Sequence, residues 1–147
     1  MNATFTDSHL HFDTFDQEGL VPDLLQRASA NRVARLVAIG GHREANERAA
    51  RLAALHPGRI RAVAGYDRDQ AGLQPDLESL RRCLALPGVG GVGEAGLDYH
   101  YHPESAEEQR RLFRTMLDLS VEFRLPVVVH SREADADTLE APPRGVA

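Results

Sequence analysis

Five times along the chain a short β-rich run gives way to a stretch of helical periodicity, and that rhythm restricts the fold more than any other feature. The first strand-like run lies around Thr4 to Phe12. A helix follows around Asp23 to Arg32, with Pro22 suited to its first turn. Arg35 to Ile39 (RLVAI) reads as a second strand closed by Gly40-Gly41, and Arg43 to Leu55 as a helix ended by Pro57-Gly58. Ile60 to Ala64 is the third strand, Asp76 to Leu86 a helix stopped by Pro87-Gly88, and Val89 to Glu94 the fourth strand. Ser105 and Glu108 have the S-x-x-E spacing of a capping box for a long helix to about Arg124. Within it Leu112, Met116, Leu119 and Phe123 recur as an apolar stripe. Pro126 opens the fifth strand, VVVH, and a further helix begins near Arg132.

Strand followed by helix, repeated, means parallel strands joined by crossover helices. An open doubly wound sheet and a (β/α) TIM-type barrel both satisfy this. Nothing in the first βα turn resembles G-x-G-x-x-G, and no G-x-x-x-x-G-K-[ST] is present, so nucleotide-binding folds lose ground. A complete eight-unit barrel takes about 250 residues. The 147 residues form one domain, residues 1–147, expected to hold about five of the eight units and to be truncated at the C-terminal side.

Composition narrows the chemistry. Hydrophobic residues are 42% and charged residues 27%, the balance of a core-forming protein. No apolar run approaches the roughly 18 residues of a membrane helix, so no membrane partner is expected. Without a signal-like N-terminus, and with Cys83 as the single cysteine, the expected compartment is the cytoplasm. All 17 basic residues are arginine, which excludes a Schiff-base lysine, a P-loop lysine and a carboxylated-lysine metal bridge. A net charge of -5 argues against nonspecific grip on nucleic acid through a basic surface.

The chemistry-bearing residues fall near strand ends. In Asp7-Ser-His9-Leu-His11-Phe-Asp13 the alternation of a strand puts His9 and His11 on one face and Leu10 and Phe12 on the other. A bare His-x-His is a weak signal, and His100-Tyr101-His102 repeats it. Glu94 closes the apolar, glycine-rich run VGGVGE, where a carboxylate is costly unless it caps backbone, is paired or binds metal. His130 closes VVVH, as a metal ligand or as a core histidine bonded to backbone. Residues at the carboxyl ends of barrel strands form active sites. Arg132 suits a substrate phosphate or a surface ion pair. Asp98 suits substrate or ligand orientation, or a turn. His100 and His102 read as solvated loop residues or substrate contacts. Arg81-Arg82 and Arg110-Arg111 read as outer helix faces, and Cys83 as core filler.

Taken together, DSHLHFD, GEAGLDYH and PVVVHSREA resemble the TatD family of metal-dependent deoxyribonucleases, within the amidohydrolase-like barrels, over essentially the whole chain. The resemblance implies a hydrolase cleaving phosphodiester bonds of DNA through divalent cations, two per complete site, with magnesium typical and manganese or zinc also found. It implies that His9 and His11 ligate one metal, that Glu94 bridges two and that His130 ligates the second, so that a water activated there attacks phosphorus. A complete family barrel adds a His ligand after its sixth strand. It also adds an Asp, ligand and base, in an E-T-D-x-P-like segment after its seventh. The chain ends EAPPRGVA with neither, and Pro142-Pro143 interrupts the fifth helix. Ligation is therefore expected to be incomplete and activity impaired, with self-association or a complementary C-terminal half as partner. The alternatives are a catalytically inactive fragment, a lactonase or phosphotriesterase relative, and a histidinol-phosphatase-like phosphoesterase. Glu94 without any lysine favours the nuclease side of that choice.

Overall fold

In the computed structural model, which describes residues 4–141, five strands form one sheet in the order β1-β2-β3-β4-β5. They are β1 Phe5–Leu10, β2 Val33–Gly41, β3 Ile60–Tyr66, β4 Val89–Asp98 and β5 Val127–Arg132. Every neighbouring pair is parallel. Sequential order with parallel pairing and right-handed crossovers carries all the connecting helices to one side and curls the sheet into part of a barrel. The incomplete-barrel expectation is therefore met.

The helices are α1 Asp13–Gln17, α2 Val21–Ala30, α3 Arg43–Leu55, α4 Leu77–Leu84, α5 Ala106–Phe123 and α6 Asp135–Leu139. Alanines dominate the buried face of α3 (Ala45, Ala49, Ala50, Ala53), so its axis lies close on β2 and β3. Phe113, Met116 and Leu119 of α5 are buried against β4. From the sheet, Leu36, Ala38, Ile60, Ala62, Ala64, Val92, Ala95 and Leu97 complete one continuous core. Between α3 and the sheet, buried Asn46 accepts from the N–H groups of Gly41 (3.2 Å) and Gly65 (3.0 Å) and donates to Gly65 O (2.8 Å). That side chain ties the ends of β2 and β3 together.

Three sequence expectations change. The short α1 was not anticipated; its Asp13 and Asp16 meet Arg48 of α3 at 2.5 and 3.2 Å, and Asp16 also meets Arg51 at 2.5 Å. The capping box at Ser105 does not form: Ser105 Oγ donates to His102 O (3.1 Å) and accepts from Gln109 Nε2 (3.0 Å), so it closes the preceding turn instead. Finally, β4 runs four residues beyond Glu94, because Ala95 to Asp98 stay paired with Val129 to Arg132. Pro142-Pro143 lie outside the described residues.

Candidate metal centre

His9 stands near the end of β1 and His11 just past it, where the ladder with β2 is irregular between Asp7 and Leu10. Asp7 Oδ1 accepts from the His9 N–H at 3.1 Å and helps hold that bend. Phe12 on the opposite side is buried in the core, as alternation requires, while both imidazoles remain exposed. Their Nε2 atoms are 3.2 Å apart.

Glu94 projects from the middle of β4, a correction to its expected place at the strand end. Its two oxygens face different partners. Oε2 lies 3.6 Å from His9 Nε2 and 3.7 Å from His11 Nε2. Oε1 lies 3.1 Å from His130 Nδ1 and 3.9 Å from Arg68 Nη1. Donors bound to one ion at about 2.0–2.2 Å stand about 3–3.6 Å from one another. His9, His11 and Glu94 Oε2, at 3.2, 3.6 and 3.7 Å, come close to that spacing, and their ligand atoms fall within 4.8 Å of one another.

His130 belongs to the other side of the same carboxylate. Its Nε2 lies 3.0 Å from Oδ2 of Asp98, the residue that ends β4 and is fully buried. The ring can donate to either carboxylate; with its proton on Nε2 toward Asp98, the Nδ1 lone pair would face Glu94 Oε1 and be free to take a cation. Three donors therefore converge on the Oε2 side of Glu94, a set that fits a divalent cation, and His130 adds one donor on the Oε1 side.

Asp98 makes the turn, and its other oxygen meets His130. Oδ1 accepts from the N–H groups of His100 (3.1 Å) and Tyr101 (2.9 Å), which makes the turn, while Oδ2 orients His130. Burial pushes its pKa up, but the bonds from Tyr101, His130 and His100 outweigh burial and hold it below the usual carboxylate range. Gln109, also buried, accepts from Asp98 N–H (2.7 Å) and donates to Asp98 O (3.0 Å), which locks the end of β4 onto α5.

The remaining candidates separate. Arg132 is exposed and lies 4.5 Å over the Tyr101 ring, and it makes no ion pair among the described residues. His100 Nδ1 meets Glu133 at 2.8 Å, and His102 meets Asp69 at 3.5 Å and Glu104 at 3.6 Å, all partly solvated pairs. Cys83 is buried, and burial pushes its thiol up to about 11, which suits core filler rather than a nucleophile. Arg81 and Arg110 do pair at the surface, Arg81 with Glu122 and Arg110 with Asp137.

Sequence reasoning missed Arg68, Asp67, Gln109 and Asn46. Arg68 and Asp67 follow β3 directly, so the strand-end rule that found His130 would have found them had it been applied to the third strand. Asp67 is half-buried, and burial, with the charges of Asp69 and Glu94, raises its pKa. Gln109 and Asn46 had no such signal.

A curled sheet of parallel strands gathers two imidazoles and a carboxylate into one group, the arrangement on which barrel-class metal sites are built. The profile of the TatD related DNase family matches residues 6–143, and the chain belongs to that family. It is 36% identical over 149 residues to the uncharacterized metal-dependent hydrolase YcfH of Escherichia coli K12, covering 90% of this chain and 51% of that protein. It is 31% identical over 113 residues to the 3'-5' ssDNA/RNA exonuclease TatD of Musicola paradisiaca, covering 76% and 43%. The crystal structure of YJJV, a TatD homolog from Escherichia coli K12, superposes with a TM-score of 0.79 at 29% identity over 92% of this chain and 54% of that one. The chain spans about half the length of the curated relatives it matches.

Proposed function

We propose that His9, His11, Glu94 and His130 form a divalent-cation centre that hydrolyses phosphodiester bonds of DNA, acting at strand ends. The observation that carries this is the division of Glu94: one oxygen toward two imidazoles, the other toward a third. The exonuclease name carried by a relative supports the choice of nucleic acid. Divalent cations in such a set supply Lewis acidity and a water acidic enough to attack at neutral pH. The chain's own residues do the rest. Glu94 contributes its charge from a buried strand, and Asp98, by accepting from the ring, would keep the proton of His130 on Nε2. Three imidazoles to one carboxylate is a nitrogen-rich set, which favours Mn²⁺ or Zn²⁺ over Mg²⁺ in affinity, whichever ion supports turnover.

A second reading has its own support. Among the described residues an ion on the Oε1 side finds only Glu94 and His130, whereas catalytic zinc-type sites present three protein ligands. On that reading the chain binds a cation and turns nothing over. Calorimetric titration with Mn²⁺, set beside release of nucleotides from an end-labelled single-stranded DNA, separates the two. Binding and release that are both lost in Glu94→Gln support the nuclease. Binding without release supports the second reading, and no binding in the parent chain overturns both.

A further inference from the structure

We propose that Arg68 is the oxyanion-binding residue of this centre, taking a non-bridging oxygen of the substrate phosphate beside Glu94; this rests on the reading just given. Arg68 opens a short 3-10 turn, Arg68–Gln70, directly after β3. The turn is anchored on both sides. Asp67 Oδ1 accepts from Asp69 N–H at 2.9 Å, and Asp67 packs so closely on Gly41 that a Cβ there would stand 2.7 Å from its Oδ2. From this platform the Arg68 side chain, 22% exposed, reaches Glu94.

What it meets there does not satisfy it. Its carboxylate neighbours are Asp69 at 3.6 Å from Nε and Glu94 at 3.9 Å from Nη1, both beyond hydrogen-bond distance. Arginines that act as struts in this fold close to bonding distance: Arg48 to Asp13 at 2.5 Å, Arg110 to Asp137 at 2.8 Å. A guanidinium carries five N–H donors in a planar fork that matches phosphate oxygens in pairs. Arg68 thus offers a preoriented, under-used fork at the edge of the centre. When Glu94 is engaged in holding a cation, its charge is no longer available to Arg68, and an anionic ligand completes the balance. The surface as a whole, at net charge -5, supplies no such attraction, so the local guanidinium is what would draw a phosphate ester to the centre.

The test titrates Mn²⁺ into the parent chain, Arg68→Ala, Arg68→Lys and the remote control Arg111→Ala, then thymidine 5'-monophosphate into each Mn²⁺-loaded protein. Thermal melts confirm that each variant is folded. The expected result is Mn²⁺ affinity within about twofold of the parent in every variant. Nucleotide affinity should fall about 10- to 100-fold in Arg68→Ala, recover in part in Arg68→Lys, and hold in Arg111→Ala, as loss of a charge-assisted contact requires. Unchanged nucleotide affinity in Arg68→Ala overturns the proposal while leaving the metal centre intact. Weakened Mn²⁺ binding that accounts for the whole loss overturns it too, since Arg68 would then act through Glu94. A parent chain that binds no Mn²⁺ overturns the metal reading and this proposal with it.

Discussion

Asp98 shows how one carboxylate can serve backbone and site together. Its Oδ1 closes the turn after β4 and its Oδ2 fixes the His130 ring, with Gln109 clamping the peptide on either side. Carboxylates that orient a ligating histidine typically account for about 10- to 100-fold in metal affinity. Asp98→Asn should therefore weaken Mn²⁺ binding by about that factor, read by calorimetry, while far-ultraviolet dichroism stays native. An unchanged affinity would mean that the ring is held by packing alone. Asn46 is the matching residue away from the site, since its three bonds to Gly41 and Gly65 are all buried. Asn46→Ala leaves those backbone groups unpaired at about 1–3 kcal/mol each, so a loss of at least about 2 kcal/mol is expected in urea unfolding.

At the scale of elements, α1 is joined to α3 by charge more than by packing, because none of its residues is buried. The hydrogen bond from Arg51 lowers the Asp16 pKa, burial opposes it, and the charges of Arg51 and Arg48 with the bond from Arg48 carry it further down. A folded-state value below the unfolded one gives stability that is present above the unfolded value near 3.9 and is lost as pH falls through the folded value. Asp16→Asn should cost on the order of 1 kcal/mol at pH 7. Melting temperatures of parent and variant should converge as the pH is lowered from about 5 toward 2. A gap that persists in acid would assign the effect to shape rather than charge. The failed capping box belongs to this scale as well: Ser105 has the right spacing, but Gln109 and the carbonyl of His102 claim its hydroxyl first.

For the whole molecule the consequence lies in the open sides of the sheet. β1 and β5 are edge strands among the described residues, most of β1 is exposed, and Phe5 and Val129 are 54% and 48% exposed. Unpaired strand edges with apolar residues invite pairing with another chain. Sedimentation velocity should show mass rising from low to high micromolar concentration, through self-association or, with a complementary polypeptide present, through a mixed species. A single monomer across that range would show that the edges are self-sufficient. No helix among the described residues is long and apolar enough to cross a membrane.

Local patterning determined the strand–helix order, the parallel sheet and the choice of candidate donor residues, because periodicity, turn residues and the His-x-His face are properties of consecutive residues. Leu10 and Phe12 turned inward opposite His9 and His11 for that reason. The extension of β4 past Glu94 was not legible, since it depends on β5 pairing from 34 residues further along the chain rather than on VGGVGE itself. The same holds for the division of Glu94 between His9 and His11 on one oxygen and His130 on the other, for Asp98 behind His130, and for Arg68 beside them. These contacts join residues of β1, β3's following turn, β4 and β5, and only the register of four strands brings their side chains to one place.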